Sequence, residues 1–169
     1  PYSGTMRSVV MRHAPDVPVC DLMCDAPDRN PKAASYLLAA LCREFQEGDV
    51  VLAVVDPGVG SARNGVVVEA DGVCFVGPDN GLFEMVIRRA KNVTLKVIDW
   101  MPDGASASFH GRDIFGPVAS WLATNQEFDA HGIALDQRFG PAKEWPDELA
   151  EVIYVCLLYT SDAADDLTR

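Results

Sequence analysis

The chain has no basic run, no long apolar stretch and no metal-binding cysteine pattern, and each absence removes a class of function. Lys and Arg number 14 against 25 Asp and Glu, a formal net charge of −11. Nucleic acid and anionic membranes reward clustered cations, so neither is an expected partner. No apolar run approaches the roughly 20 residues of a membrane-spanning helix. No signal-peptide pattern is visible, and the first residue is Pro1 rather than Met, so the start of the reading frame is expected upstream. Five cysteines stand at 20, 24, 42, 74 and 156. Cys20 and Cys24 have no second Cys/His pair at matching spacing, so no metal is expected. Cys20, Cys42 and Cys74 fall in apolar patterns and read as small core residues in a reducing, cytoplasmic compartment.

What is present is an ordinary globular composition, 49% apolar and 23% charged over 169 residues, enough for one domain with a real core. Helical and strand patterns alternate, which predicts an α/β domain with a largely parallel sheet and flanking helices. Helices are expected over Tyr2–Arg12 and Lys32–Phe45, the second burying Ala34, Leu37, Leu38, Leu41 and Phe45. Strands are expected over Val17–Leu22, Asp49–Val55, Val66–Glu69, Val73–Val76 and Val93–Ile98, with the third and fourth joined through the hairpin signal "ADG". Asn80 and Asp113 are expected helix caps, and Pro117 falls in the first turn of the second capped helix.

The domain is expected to span 1–139. Residues 140–155 read as a linker, "GPAKEWPDE", plus the first strand of a second domain. The fourteen residues from Cys156, "CLLYTSDAADDLTR", look like a translated sequencing adapter and are set aside. The acidic balance survives removal of their three aspartates and one arginine.

Three loops carry the chemistry. In "VVDPGVGSAR" a fully apolar strand ends at Asp56, and Pro57, Gly58 and Gly60 fix a tight loop returning through Arg63. Strand carboxyl ends are where open α/β sheets bind ligands. On this stretch alone, a structural turn with a surface ion pair competes with a site. "SASFHGRDIFGP" places His110 beside Gly111 at a helix entrance, where a structural histidine is the competing reading. "GPDNG", from Gly77 to Gly81, reads as a turn plus helix cap.

Taken together and in order, "VVDPGVGSAR", "FVGPDNGLF" and "SFHGRDIFGPVA" resemble the S-adenosylmethionine hydroxide adenosyltransferases, relatives of the fluorinating and chlorinating enzymes. "PYSGTMRSVV" resembles that family's first helix, and the likeness spans Pro1 to Val155. The resemblance implies that water or hydroxide attacks the ribose C5′ of S-adenosyl-L-methionine, releasing adenosine and L-methionine. It places the catalytic set on Asp56, Arg63 and His110, with Val59, Ser108, Phe109 and Gly111 lining the substrate. It implies no cofactor, since S-adenosylmethionine is the substrate.

The halogenating relatives, by the same resemblance, have an aromatic residue in place of Asp56, a serine in place of Gly111 and an insertion where this chain has a short turn between Val68 and Val73. The resemblance further implies a first strand ending in a "TDFG"-like turn, a C-terminal β-barrel contributing a "D-x-F-G-N"-like motif, and a homotrimer with the pocket between neighbouring chains. The given sequence holds neither the turn nor the barrel, so a fragment with half of its binding wall is expected. "MCDAPDRNP", from Met23 to Pro31, diverges from the family, and no role is carried over there.

A sulfonium leaves readily, so the demand falls on presenting the nucleophile in line. One cation about 4 Å away contributes about 4 kcal/mol at an effective dielectric near 20, roughly three pKa units. Arg63 with a protonated His110 would draw the pKa of water down toward ~10, and a base, Asp56 or neutral His110, takes the proton during attack. The rival readings are an S-adenosylmethionine- or adenosine-binding protein without turnover, an S-adenosylmethionine-dependent halogenase, and a phosphate-binding enzyme using "GVGSAR" as an anion loop. That last loop lacks the Lys-Ser/Thr ending of a P-loop.

Overall fold

The computed structural model describes residues 2–155. Pro1 and the adapter-like stretch from Cys156 lie outside the described residues. The element order is α1 (Tyr2–His13), α2 (Pro31–Leu41), β1 (Val50–Leu52), β2 (Gly65–Ala70), β3 (Val73–Pro78), α3 (Glu84–Arg89), β4 (Val93–Ile98), α4 (Gly116–Ala123) and β5 (Ala130–Gly132).

The sheet is open, in the order β1-β3-β2-β4-β5, with helices on both faces. The α/β layering is therefore as expected, but the strand directions are mixed. β1 pairs with β3 in parallel, whereas β2–β3, β2–β4 and β4–β5 are antiparallel. The cause is local. Asp71 and Gly72 both take positive φ, 48° and 86°, which is the two-residue turn that folds β2 directly back on β3. β1, β3 and β4 consequently point one way and β2 and β5 the other.

Period-two alternation divides the sheet residues between two cores. Val66, Val68, Phe75, Leu95 and Val97 pack under α2 and α3 with Tyr36, Leu38, Phe83 and Val86. Val67, Val76 and Ile98 pack on the other face under α4 with Ile114, Phe115, Val118 and Ala119. α2 begins cleanly because Asn30 accepts from the Ala33 N–H at 3.0 Å and Pro31 occupies the first turn.

Several expectations are corrected. Val17–Leu22 is irregular rather than a strand, and Cys20 within it is exposed; Cys42 and Cys74 are half-buried. α2 gives way to a tighter turn over Cys42–Glu44, short of Phe45. Glu151–Val155, expected as the first strand of a second domain, is irregular rather than a strand.

The linker-like stretch is docked on the core. Ala142 is fully buried, and Tyr36 donates its hydroxyl to the Pro146 carbonyl. Glu84, 2% exposed, accepts from Arg88 Nε at 2.7 Å, Arg138 Nε at 2.7 Å and Arg138 Nη2 at 2.9 Å. Arg88 reaches on to the carbonyls of Ala142, Lys143 and Trp145 and to the Asp147 carboxylate.

Candidate functional site

β1, β3 and β4 share one direction, so the loops that follow them emerge on one side of the sheet, where α/β folds place their ligands. These are the three loops singled out in the sequence. The first makes two consecutive turns, Val59 N–H to Asp56 C=O at 3.3 Å and Ser61 N–H to Gly58 C=O at 3.1 Å. Ser61 Oγ then accepts from the Arg63 N–H, bringing Arg63 back to the start of its own loop. Gly60 has φ of 80°, and a Cβ there would lie 2.6 Å from the Ala107 carbonyl oxygen. That contact seats the first loop on the third.

The geometry brings Asp56, Arg63 and His110 together. Arg63 Nε donates to Asp56 Oδ1 at 3.0 Å and Nη2 donates to Oδ2, a two-pronged ion pair whose side chains are only 9% and 4% exposed. The same Nη2 stands 2.9 Å from His110 Nδ1. A guanidinium has no lone pair to offer, so Nδ1 is the acceptor and the imidazole proton sits on Nε2. Burial pushes the His110 pKa below its ordinary value and the neighbouring Arg63 charge lowers it further, against the opposing pull of Asp56 and Asp113. Sequence left both a protonated and a neutral His110 open; this contact favours the neutral ring, because its partner is a permanent cation that can only donate.

Phe115, fully buried, closes the site from behind. The Arg63 guanidinium lies 5.2 Å from its ring centre, and His110 meets it edge-on at 6.4 Å. The sequence reading missed this residue; its signal was a large apolar side chain five positions beyond the histidine. The helix entrance also differs from expectation. Residues Gly111–Phe115 form one wide turn in which the Gly116 N–H bonds to the Gly111 carbonyl, and α4 follows. Asp113 lies inside this turn and does not cap it. Its carboxylate accepts from the Ser106 N–H at 2.9 Å and pairs with Arg112, tying the third loop to the turn.

The residues assigned to substrate contact are placed as follows. Ser108 is exposed and Val59 half-buried. The Phe109 ring stacks on Tyr2 at 5.2 Å and lies 4.7 Å from the Arg112 guanidinium. A Cβ on Gly111 would stand 2.8 Å from Met6 Sδ, so that glycine lets α1 approach the turn. A cavity of about 200 Å³ lined by Cys42, Phe45, Phe75 and Arg89 lies beside the β2–β3 hairpin, away from this cluster. Among the described residues no cluster of His, Cys, Asp or Glu could hold a metal ion, and no helix is long and apolar enough to cross a membrane.

An α/β domain with a largely shielded Asp–Arg–His cluster at the carboxyl ends of its strands is the class of protein that fold and site define. Residues 1–132 match the SAM hydroxide adenosyltransferase N-terminal domain, and the chain belongs to that family. It is similar to the (R)-S-adenosyl-L-methionine hydrolase of Thermus thermophilus, 38% identical over 135 residues, covering 73% of this chain and 52% of that protein. The (R)-S-adenosyl-L-methionine hydrolase of Salinispora tropica is 37% identical over 141 residues, covering 80% and 53%. Among solved structures, an uncharacterized conserved protein from Thermotoga maritima superposes with a TM-score of 0.72 at 30% identity, covering 82% of this chain and 57% of that one. The chain spans about half the length of the curated relatives it matches.

Proposed function

We propose that the full-length protein hydrolyses S-adenosyl-L-methionine to adenosine and L-methionine, with Asp56, Arg63 and His110 organising the attacking water. The observation that carries this reading is the Arg63 guanidinium, which donates at once to both Asp56 oxygens and to His110 Nδ1 in a buried site. That arrangement leaves His110 Nε2–H as a donor, so the histidine orients the water oxygen and the base is Asp56, whose carboxylate has lone pairs beyond those facing Arg63. The water oxygen bonds to C5′ as the C5′–S bond breaks. Its electron pair goes to sulfur, giving the neutral thioether of methionine, and the water proton passes to Asp56 and then to solvent. Arg63 keeps both partners in place and holds negative charge at the site, where low exposure strengthens its field. The substrate arrives with its leaving group already cationic, so neither a metal nor a strong general acid is required, and no cofactor enters the proposal. A homotrimer and a cytoplasmic location belong to the same proposal.

The test is product analysis. The full-length protein is incubated with S-adenosyl-L-methionine in chloride buffer, and chromatography separates adenosine from 5′-chloro-5′-deoxyadenosine. Adenosine that falls at least a hundredfold in both Asp56→Ala and His110→Ala, with folding retained, supports hydroxide transfer at this site. A chlorinated product overturns the choice of nucleophile. Substrate binding without product converts the reading to a binding protein.

A further inference from the structure

We propose that Asn80 is a positioning residue that sets the Asp56–Arg63 loop against His110, an inference resting on the reading of that cluster as the adenosine-forming site. The "GPDNG" loop, which the sequence presents as a turn and a helix cap, holds the first loop at both of its ends. At the entry, Asn80 Nδ2 donates to the Val55 carbonyl at 2.9 Å, one residue before Asp56. At the exit, the Asp79 N–H donates to the Asn64 carbonyl at 3.0 Å, one residue after Arg63. Arg63 Nη1 donates to that same oxygen at 3.1 Å. Two adjacent residues therefore fix the separation between the strand that delivers Asp56 and the strand that receives Arg63.

The amide itself argues for this role. Asn80 Oδ1 accepts from the Leu82 N–H at 3.2 Å, and a cap needs only that acceptor, which serine or aspartate would also supply. The donor to Val55 is the part the cap does not explain. Only one orientation of the amide satisfies both contacts, because the reverse sets oxygen against carbonyl and NH₂ against N–H. Three residues earlier, Gly77 has no room for a Cβ, which would overlap the Ala53 carbonyl oxygen, and the Ala53 N–H bonds to the Val76 carbonyl at 3.0 Å. Asn80 thus continues the β1–β3 pairing by a side chain at the point where the backbone of β1 turns away toward Asp56. α3 begins later, at Glu84, after Phe83, whose side chain makes no capping bond.

The experiment compares Asn80→Asp and Asn80→Ser in the full-length protein. Both keep an acceptor for the Leu82 N–H; aspartate has no donor for Val55, and the serine hydroxyl hydrogen sits on an atom one bond nearer the backbone than Nδ2, so it falls short of that carbonyl. The neutral serine covers the case in which the aspartate prevents folding. Turnover of S-adenosyl-L-methionine is expected to fall between tenfold and a hundredfold, the loss typical of an ångström of misplacement, with KM changed less than threefold. The His110 ring, followed by NMR, is expected to titrate at higher pH than in the parent as its contact with Arg63 loosens. A folded variant with parental turnover and an unmoved His110 titration overturns the proposal. A parent that forms no adenosine, in variants of which the His110 titration still moves, removes the hydrolase reading and leaves the brace standing.

Discussion

Replacing Glu84 by Gln keeps the side chain's shape and removes its charge at a point where the core and the docked 138–147 stretch meet. The carboxylate is 2% exposed and receives three guanidinium N–H groups at 2.7–2.9 Å from Arg88 and Arg138, whose own side chains are 19% exposed. An amide supplies one oxygen for these donors and turns its NH₂ against the rest. Breaking a buried ion pair from one side costs about 3–5 kcal/mol, and the partial exposure of both arginines places this case near 3. In a domain whose stability is about 5–15 kcal/mol that is a substantial fraction, and at about 2–4 °C per kcal/mol the midpoint falls by about 6–12 °C.

The pH dependence has a definite sign. Burial alone would push the Glu84 carboxyl up, but the hydrogen bonds from Arg138 and Arg88 outweigh it and hold it below its ordinary range. A depressed carboxyl stabilises the fold fully above its unfolded value, about 4.3, and that contribution is lost as pH falls through the lower folded value. Melting of parent and Glu84→Gln by circular dichroism across pH 3–8 therefore gives curves that converge in acid. A shift below about 2 °C at pH 7, or a difference that stays constant into acid, refutes the reasoning.

Other outcomes follow from the site and its loops. His110 titrates below its ordinary value of about 6.5, and Arg63→Met, which removes the neighbouring cation, moves it upward; proton NMR of the ring in both proteins decides this. Because the folded His110 resists protonation relative to the unfolded chain, its contribution to stability declines as pH drops below about 6.5; denaturant midpoints at pH 7.5 and 5.5 in parent and His110→Phe measure the difference. Gly60→Ala forces an unfavourable φ and drives its Cβ toward the Ala107 carbonyl, so it is expected to lose at least tenfold in turnover and about 1–3 kcal/mol in stability, read from activity and denaturant unfolding of one preparation. Burial raises the Cys42 and Cys74 thiols, so the exposed Cys20 and Cys24 react with a thiol reagent before those two, as peptide mapping of a short labelling pulse would show.

Local signals predicted local structure well. The Asp-Gly turn and the apolar runs of β2, β3 and β4 are each written in a few adjacent residues, and each formed where the pattern put it, within a residue or two, as did the start of α2. Strand direction was not legible in the same way. The hairpin signal implied one antiparallel pair, but the β2–β4 and β4–β5 pairings join residues far apart in sequence. Val17–Leu22 had strand-like composition but pairs with no strand among the described residues.

At the site, the motifs named Asp56, Arg63 and His110, and their adjacency follows from loops at the ends of three strands sharing one direction. The protonation of His110 was not legible, because it depends on which atom of Arg63 faces which ring nitrogen. Asn80 was read through its acceptor alone, since a donor aimed at another strand leaves no mark in the local sequence. The docking of 138–147 was hidden for a related reason: Gly, Pro and charged residues read as linker, while the guanidinium that anchors them is carried by α3.

The wide turn at Gly111–Phe115 has a consequence for how this scaffold can change. It holds one residue more than an α-helical turn would need before α4, and that surplus sets the rotation of His110 relative to the buried face formed by Phe115, Val118 and Ala119. Each helical residue advances the chain by about 100° around the axis. Deleting one residue there would swing the imidazole about a quarter-turn relative to the buried face of α4, away from the guanidinium. The aim of His110 and the packing of the core are thus joined in one turn, through Phe115, which touches both.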